Sequence, residues 1–451
     1  MLPLVPEADD PAAAGYDEVP AGSASPMTAW TTDAVVTTEL PDSIAQNAAS
    51  HDLPIAPEVS DASTLPNAET RVVPVVGSRS DIEGTTRPMI GSSERPPVSS
   101  SGASSPVGDP VEIFLGETLT HVPVDWHVSI RTNPHLMMVG LPGMGKTTAL
   151  INIATQLEAV GIAPVIFSYH DDIDEKLTNV LGPLRTIDFD GLGFNPLRVD
   201  APGPTAYIDV AGTLRDIFAS IFPDLGEIQL EELRGAIKQS YDDLGWNDRG
   251  RDRPDPPRFR TFVEILKSRP KPNQNLLARL QELTDYGFFD GEDGAASILL
   301  DHSPTLVRVH LSTNEIVQRA FSAFVLYSIY KDMFRRGVQD SLTHAIIFDE
   351  AHRAAKLKLI PRFAKECRKF GLALALASQG VRDFDGAMFE AVASYLVLRV
   401  TEADARTLAR NTGATAEQQR TTDRLKALEP YHAMFFTASS AKPRILRLSP
   451  S

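Results

Sequence analysis

Lys146 and Thr147 close the run Gly140-Leu141-Pro142-Gly143-Met144-Gly145-Lys146-Thr147, which fits G-x-x-x-x-G-K-[ST]. Residues of these types at this spacing hold phosphate. The glycines let backbone N–H groups turn inward toward phosphate oxygens, and a helix starting there adds its positive dipole end. The Lys146 ammonium is placed to reach the β- and γ-phosphates of a nucleoside triphosphate. The Thr147 hydroxyl is placed to hold Mg2+. The expected cofactors are therefore ATP and Mg2+. The nucleotide contacts are expected from Gly140, Leu141, Pro142, Gly143, Met144, Gly145, Lys146, Thr147 and Thr148. A Gly-rich turn matching the pattern by chance is the competing explanation. The flanks speak against it, with an apolar run at His135–Val139 before the loop and a helical pattern from Thr148 after it.

A second constellation lies two hundred residues on. Ala345-Ile346-Ile347-Phe348-Asp349-Glu350 is an apolar strand ending in two acids. Adjacent carboxylates at a buried strand end are costly unless a cation or solvent serves them. Beside a phosphate loop they have a use. Asp349 binds the Mg2+ shell and Glu350 orients or deprotonates the attacking water. Gln379, at the tip of the following strand, is placed to sense the γ-phosphate or hold that water. Arg368 lies just before the same strand. It reads either as an arginine finger projecting into a neighbouring subunit or as a surface arginine. Arg399 is a second candidate finger, or half of a structural ion pair.

These residues need a sheet to bring them together. Strand patterns occur at Val111–Gly116, His127–Ile130, His135–Val139, Pro164–Tyr169, Arg185–Phe189, Leu306–Leu311, 345–348, 372–377 and 395–400. A hairpin-like pair follows at 432–437 and 443–448. Residues 206–245, 261–286 and 314–336 read as helical, the last as amphipathic with Lys331, Arg335 and Arg336 on a solvated face. Strands alternating with helices imply a parallel sheet covered on both faces. The expected fold is α/β, a RecA-like P-loop NTPase core with a parallel-rich sheet, a helical insertion and a disordered N-terminal tail. The expected domains are an acidic Pro/Ser/Ala-rich tail over 1–108, the first part of the core over 109–204, the insertion over 205–300 and the rest of the core over 301–451.

The tail is expected from composition. Residues 1–110 hold 16 Asp and Glu against four Arg, so most of the net charge of −16 lies there. The remainder is close to neutral, which leaves room for a local basic surface. One such surface is the loop from Asp248 to Arg260, with Arg249, Arg251, Arg253, Arg258 and Arg260 among three acids. It reads as a pore loop tracking DNA phosphates, or as a self-paired solvated excursion. Lys267, Arg269 and Lys271 extend the same basic path. The single cysteine, Cys367, excludes an internal disulfide framework and suits a cytoplasmic location. No run approaches the length of a membrane helix, and no signal peptide opens the chain.

The continuation Asp349-Glu350-Ala351-His352 also occurs in superfamily 2 helicases. Those need a second nucleotide-fold domain, and too little chain follows for one. Their S-A-T and Q-x-x-G-R-x-G-R patterns are absent. A different resemblance fits the order of motifs. Arg368-Lys369-Phe370-Gly371-Leu372, an apolar strand, Ala377-Ser378-Gln379 and then Asp383-Phe384, all after D-E-A-H-R, resemble the HerA/FtsK superfamily of ring-forming DNA-pumping ATPases. The related type IV secretion ATPases are similar as well. Gly193-Phe194-Asn195-Pro196-Leu197 is similar to the N-P-L segment of these proteins. Tyr169-His170-Asp171 occupies their acidic strand-end position. Leu115-Gly116-Glu117 with Val124-Asp125-Trp126 resembles the HerA-like ATPases of the DptH type.

The resemblance spans roughly residues 111–448. It implies nucleotide binding by Gly140 to Thr148, Mg2+ binding by Thr147 and Asp349, catalysis by Glu350 with Lys146, sensing by Gln379 and a trans finger at Arg368. It also implies a homo-oligomeric ring, a hexamer, translocating double-stranded DNA with a nuclease partner. Energising a secretion or conjugation complex is the alternative, and an NTP-dependent switch a third. The β-barrel of HerA and the membrane helices and winged helix of FtsK have no counterpart here, which points to a stand-alone motor without membrane insertion.

Overall fold

The computed structural model describes residues 109–449, except 190–191, 201–202, 249–252, 290–296, 355–356, 383, 385, 413–416, 439 and 441. The expected acidic tail over 1–108 lies outside the described residues, as do Arg249 and Arg251. Among the described residues eleven strands, numbered β1 to β11 in chain order with the ranges given next, form one sheet in the order β2-β1-β11-β10-β9-β3-β8-β7-β4-β6-β5. Seven of them run parallel: β3 (Leu136–Val139), β4 (Ala163–Ser168), β5 (Arg185–Ile187), β6 (Thr305–Arg308), β7 (His344–Phe348), β8 (Leu372–Ser378) and β9 (Ser394–Val397). Antiparallel strands β10 (His432–Thr437), β11 (Arg444–Leu448), β1 (Val111–Thr118) and β2 (Pro123–Val128) extend the sheet beyond β9. The expected RecA-like architecture with a parallel-rich sheet is therefore present.

The central strands are buried on both faces, so alternate side chains feed two cores. On β8 the leucines Leu372, Leu374 and Leu376 enter one core and the alanines Ala373, Ala375 and Ala377 the other. Helix α1 (Lys146–Ala159) covers the alanine face and buries Leu150, Ile153 and Leu157 in its core. The leucine face packs against a longer helix, α7 (Glu315–Arg336), and against four helices inserted in the chain between β5 and β6. These are α3 (Ala206–Ile221), α4 (Glu227–Asp242), α5 (Phe259–Lys267) and α6 (Gln274–Asp285). Helix α2 (Asp171–Leu181) follows β4. Among the described residues no helix is long and apolar enough to cross a membrane.

Several boundaries differ from the sequence pattern. The helical stretch 206–245 breaks at Phe222–Gly226, because Pro223 cannot donate to the preceding turn. The stretch 261–286 breaks at Ser268–Asn273, where Pro270 and Pro272 act alike and Asn273 caps the next helix. β2 starts four residues before the run His127–Ile130 and ends at Val128, because its pairing with β1 runs from Pro123 to Val128. The segment Leu306–Leu311 is strand only to Arg308 and then turns into a 3-10 helix.

The largest correction concerns α7. Fifteen of its 22 residues are buried, Lys331 and Asp332 among them, so it has no solvated lysine face. Lys331 is 6% exposed. Its ammonium lies 3.4 Å from Asp200 Oδ2, bonds the Arg198 carbonyl and lies over the rings of Tyr327 and Phe194. Burial pulls its pKa down to about 8, against the pull of Asp200. This anchors the Asn195-Pro196-Leu197 segment to the helix. Substituting Lys331→Ala is expected to cost about 3–5 kcal/mol, the penalty for breaking a buried pair. Urea unfolding measures it. A loss under about 0.5 kcal/mol is what a solvated lysine gives, and would contradict the anchor.

Candidate active site

Parallel register brings the two sequence constellations to one edge. Val139 pairs with Ser378, and Phe348 with Leu376, so Gly140, Asp349, Glu350 and Gln379 all leave the sheet at its C-terminal edge. In open α/β sheets this is where ligands bind. The loop after β3 turns through Gly143 at φ 72° and Gly145 at φ 107°, left-handed values that favour glycine. Helix α1 begins at Lys146 with no side chain capping it and no acid in its first turn. Its free N–H groups are an anion site by construction.

Lys146 Nζ donates to the carbonyls of Gly140 (2.6 Å) and Leu141 (3.1 Å). Burial lowers its pKa, while Glu350 and Asp349 pull the other way. Hydrogen-bonded to two carbonyls of its own loop, this lysine is ready to exchange them for phosphate oxygens.

Asp349 is 5% exposed and its Oδ2 has no hydrogen-bond partner among the described residues. Burial raises its pKa to about 7, and the neighbouring Glu350 charge adds to the shift. Glu350 differs although it is only 8% exposed. Burial would raise its pKa too, but His352 and the Gln379 amide outweigh burial and hold it below the usual carboxylate range. Gln379 Nε2 donates to both Glu350 oxygens, at 3.2 and 3.4 Å. His352 Nδ1 lies 2.9 Å from Oε2 and His170 Nε2 lies 3.7 Å from Oε1. One acid is thus kept ionised by its neighbours, and the other is left wanting a cation. That difference suits a base and a metal ligand respectively. The unpartnered, buried Asp349 oxygen fits Mg2+, which takes one or two protein oxygens and keeps its waters. No cluster of three metal-ligating side chains exists among the described residues.

The sequence places His170 and His352 in motifs but gives them no role, because a lone histidine has no spacing rule to flag it. It also misses the support behind His170. Ser168 Oγ lies 2.7 Å from Asp174 Oδ1, and His310 Nε2 lies 2.7 Å from Asp174 Oδ2, tying the ends of β4 and β6 to α2. Arg353 donates to Gln318 on α7 and lies over the Tyr169 ring, which fixes the short helix after Glu350.

Other expected residues lie elsewhere. Arg368 precedes β8, at the opposite edge of the sheet, where it is exposed and donates to the Thr132 carbonyl at 3.0 Å. Seven residues of β8 separate it from Gln379, roughly 23 Å of strand, so it cannot serve the site of its own chain. Arg399 is half-buried and makes no ion pair among the described residues, while its carbonyl accepts from Leu141 N–H at 2.8 Å. Arg253 lies over the Trp246 ring and bonds the Gly203 carbonyl, while Arg258 and Arg260 are exposed. Lys267 and Arg269 pair with Glu264 and Glu232, which shortens the expected basic path.

Comparison with known proteins supports the fold. No family model and no curated protein sequence matches the chain. Among solved structures, VirB4 of Thermoanaerobacter pseudethanolicus superposes with a TM-score of 0.60 at 20% identity, covering 77% of this chain and 98% of that one. The plasmid coupling protein TrwB in complex with ADP and Mg2+ gives 0.51 at 15% identity, covering 74% and 89%. At these identities the likeness speaks for a shared P-loop ATPase fold.

The state of Asp349 has a measurable consequence. In the unfolded chain it ionises near pH 3.9, whereas folded it keeps its proton to about 7. Between those values the folded state binds more protons, so stability falls as pH rises. Asn at this position carries no such penalty. Without metal or nucleotide, Asp349→Asn is expected to be more stable than the native chain by about 2–4 kcal/mol at about pH 8, and equal to it near pH 4. Thermal or urea melts in a chelator decide this. Equal stabilities at both pH values would show that the carboxylate carries no penalty.

Proposed function

We propose that the chain is an ATP-hydrolysing motor of the HerA/FtsK type, working in the cytoplasm as a homo-oligomeric ring, a hexamer, that moves double-stranded DNA. The convergence of Lys146, Asp349, Glu350 and Gln379 on one sheet edge is the observation that supports it. Thr147 and Asp349 would hold Mg2+, which when bound neutralises charge on the β- and γ-phosphate oxygens. Lys146 leaves its two carbonyls for the same oxygens. Glu350, kept ionised and aimed by Gln379 and His352, takes the proton of the attacking water. The helices over 205–300 form an insertion on this core. Its arginine loop, with Arg253, Arg258 and Arg260, would track DNA phosphates.

Arg368 supports a ring. It is remote from its own site, exposed, and permanently charged, which are the properties of a finger that completes a neighbour's site. A second reading, the energising of a secretion or conjugation complex, is favoured by the likeness to VirB4 and to a plasmid coupling protein. No feature of the described residues points to a nuclease partner.

Steady-state ATP hydrolysis tests the proposal. Lys146→Ala and Glu350→Gln should each lower turnover by at least about 100-fold, the lower range for losing a general base. Native turnover in either variant would show that the site is misassigned. Arg368→Ala should lose about 1,000-fold and recover when mixed with the Lys146→Ala variant, since each supplies what the other lacks. No recovery would count against a shared site. Duplex DNA should accelerate the native enzyme, whereas a secretion role predicts a rate indifferent to DNA.

A further inference from the structure

Beside the phosphate loop, on the side of the antiparallel strands, lies an open groove of about 1050 Å3. It runs from Thr148, two residues past Lys146, along the ends of β1, β10 and β11. Its volume is well above the ~300 Å3 at which small-molecule sites begin. Two large apolar side chains line it while exposed to solvent, Leu119 at 74% and Tyr431 at 50%.

Tyr431 is held there by an uncommon backbone. Its φ is 61°, a left-handed value that costs a non-glycine residue about 1–2 kcal/mol. Two hydrogen bonds fix it, its N–H to the Met144 carbonyl at 2.9 Å and the Leu448 N–H to its own carbonyl at 2.8 Å. The ring presses on the phosphate loop itself. A Cβ at Gly145 would lie 2.8 Å from Tyr431 Cδ1, so only glycine admits the ring. A strained, exposed aromatic ring tied to the loop that binds phosphate is a feature in search of a ligand.

We infer that this groove holds the base and ribose of the bound nucleotide, and that it selects a purine by stacking on Tyr431 with Leu119 across from it. The inference rests on the ATPase reading above. Charge fixes the orientation. Glu117, 3.0 Å from His121, and Glu429 share the groove with Arg447, so its charge is mixed, while Lys146 and the free N–H groups of α1 claim the phosphates and leave the uncharged base to the groove. The same carboxylates accept from the exocyclic amino group of a purine. Arg447 is exposed, makes no ion pair among the described residues, and can donate to ring nitrogens. Aromatic stacking on a base is strongest for the larger π-face, which favours purines over pyrimidines.

Calorimetric binding of Mg·ATP, Mg·CTP and magnesium tripolyphosphate tests this. The variants are Tyr431→Asn, whose new side chain tolerates the left-handed backbone, Tyr431→Phe, Leu119→Asp and Lys146→Ala. Tyr431→Asn and Leu119→Asp should each weaken ATP by about tenfold and leave tripolyphosphate unchanged. Tyr431→Phe should bind ATP like the native chain. The native preference for ATP over CTP should disappear in Tyr431→Asn. Equal weakening of ATP and tripolyphosphate in Tyr431→Asn would make Tyr431 a prop for the loop and overturn the inference. Unchanged ATP affinity in both groove variants would overturn it as well, with the ATPase reading intact as long as Lys146→Ala loses ATP. Native ATP affinity in Lys146→Ala would remove the ATPase reading itself.

Discussion

Two carboxylates side by side at the buried end of one apolar strand govern the rest of this structure. Asp349 and Glu350 follow five buried residues of β7 and stay buried themselves. Electrostatics forbids leaving both uncompensated. The fold answers each differently. Glu350 receives Gln379 from the next strand, His352 from the turn that follows it, and His170 from the end of β4. Among the described residues Asp349 receives no hydrogen-bonding partner for one oxygen, and it holds its proton to near neutrality. A metal-free protein keeps that conflict, and a divalent cation with a nucleotide resolves it.

The surrounding architecture follows from the need to keep these groups in register. Parallel pairing of β3, β8, β7 and β4 places four strand ends level within a residue or two. Alternating leucine and alanine on β8 faces a layer of several helices on one side and α1 on the other. The first layer also carries the buried Lys331, which pins the Asn195-Pro196-Leu197 segment through carbonyls and Asp200. The antiparallel strands beyond β9 bring Tyr431 against Gly145. The loop is thus bordered by acids on one side and by an aromatic ring on the other.

Much of this was legible from residue order. The phosphate loop, the acids ending an apolar strand and the glutamine ending the next one each lie in a local pattern whose period names its element. The parallel sheet then forces them together. Helix limits were less legible, because apolar periodicity runs straight through Pro223, Pro270 and Pro272 while the backbone does not. The burial of Lys331 was hidden because its partners, Asp200 and the carbonyls of 196–198, are far away in sequence. The same holds for His170 and Tyr431. Each acts through a neighbour supplied by topology, and no spacing along the chain encodes it. Arg368 was legible as a candidate at the start of the strand that Gln379 ends, and the sheet puts it on the far edge from its own site.

The most direct test is the proton count on binding. Titration of the native chain with the preformed magnesium complex of a non-hydrolysable ATP analogue, in buffers of differing ionisation enthalpy, measures protons released per nucleotide. With a folded-state pKa of about 7 for Asp349, roughly one proton should leave at about pH 6 and almost none at about pH 8.5. The Asp349→Asn variant should release none of that proton at either pH. An equal proton count at both pH values, or the same count in Asp349→Asn, would contradict the claim that a strained, protonated carboxyl at the end of β7 is what the metal–nucleotide complex relieves.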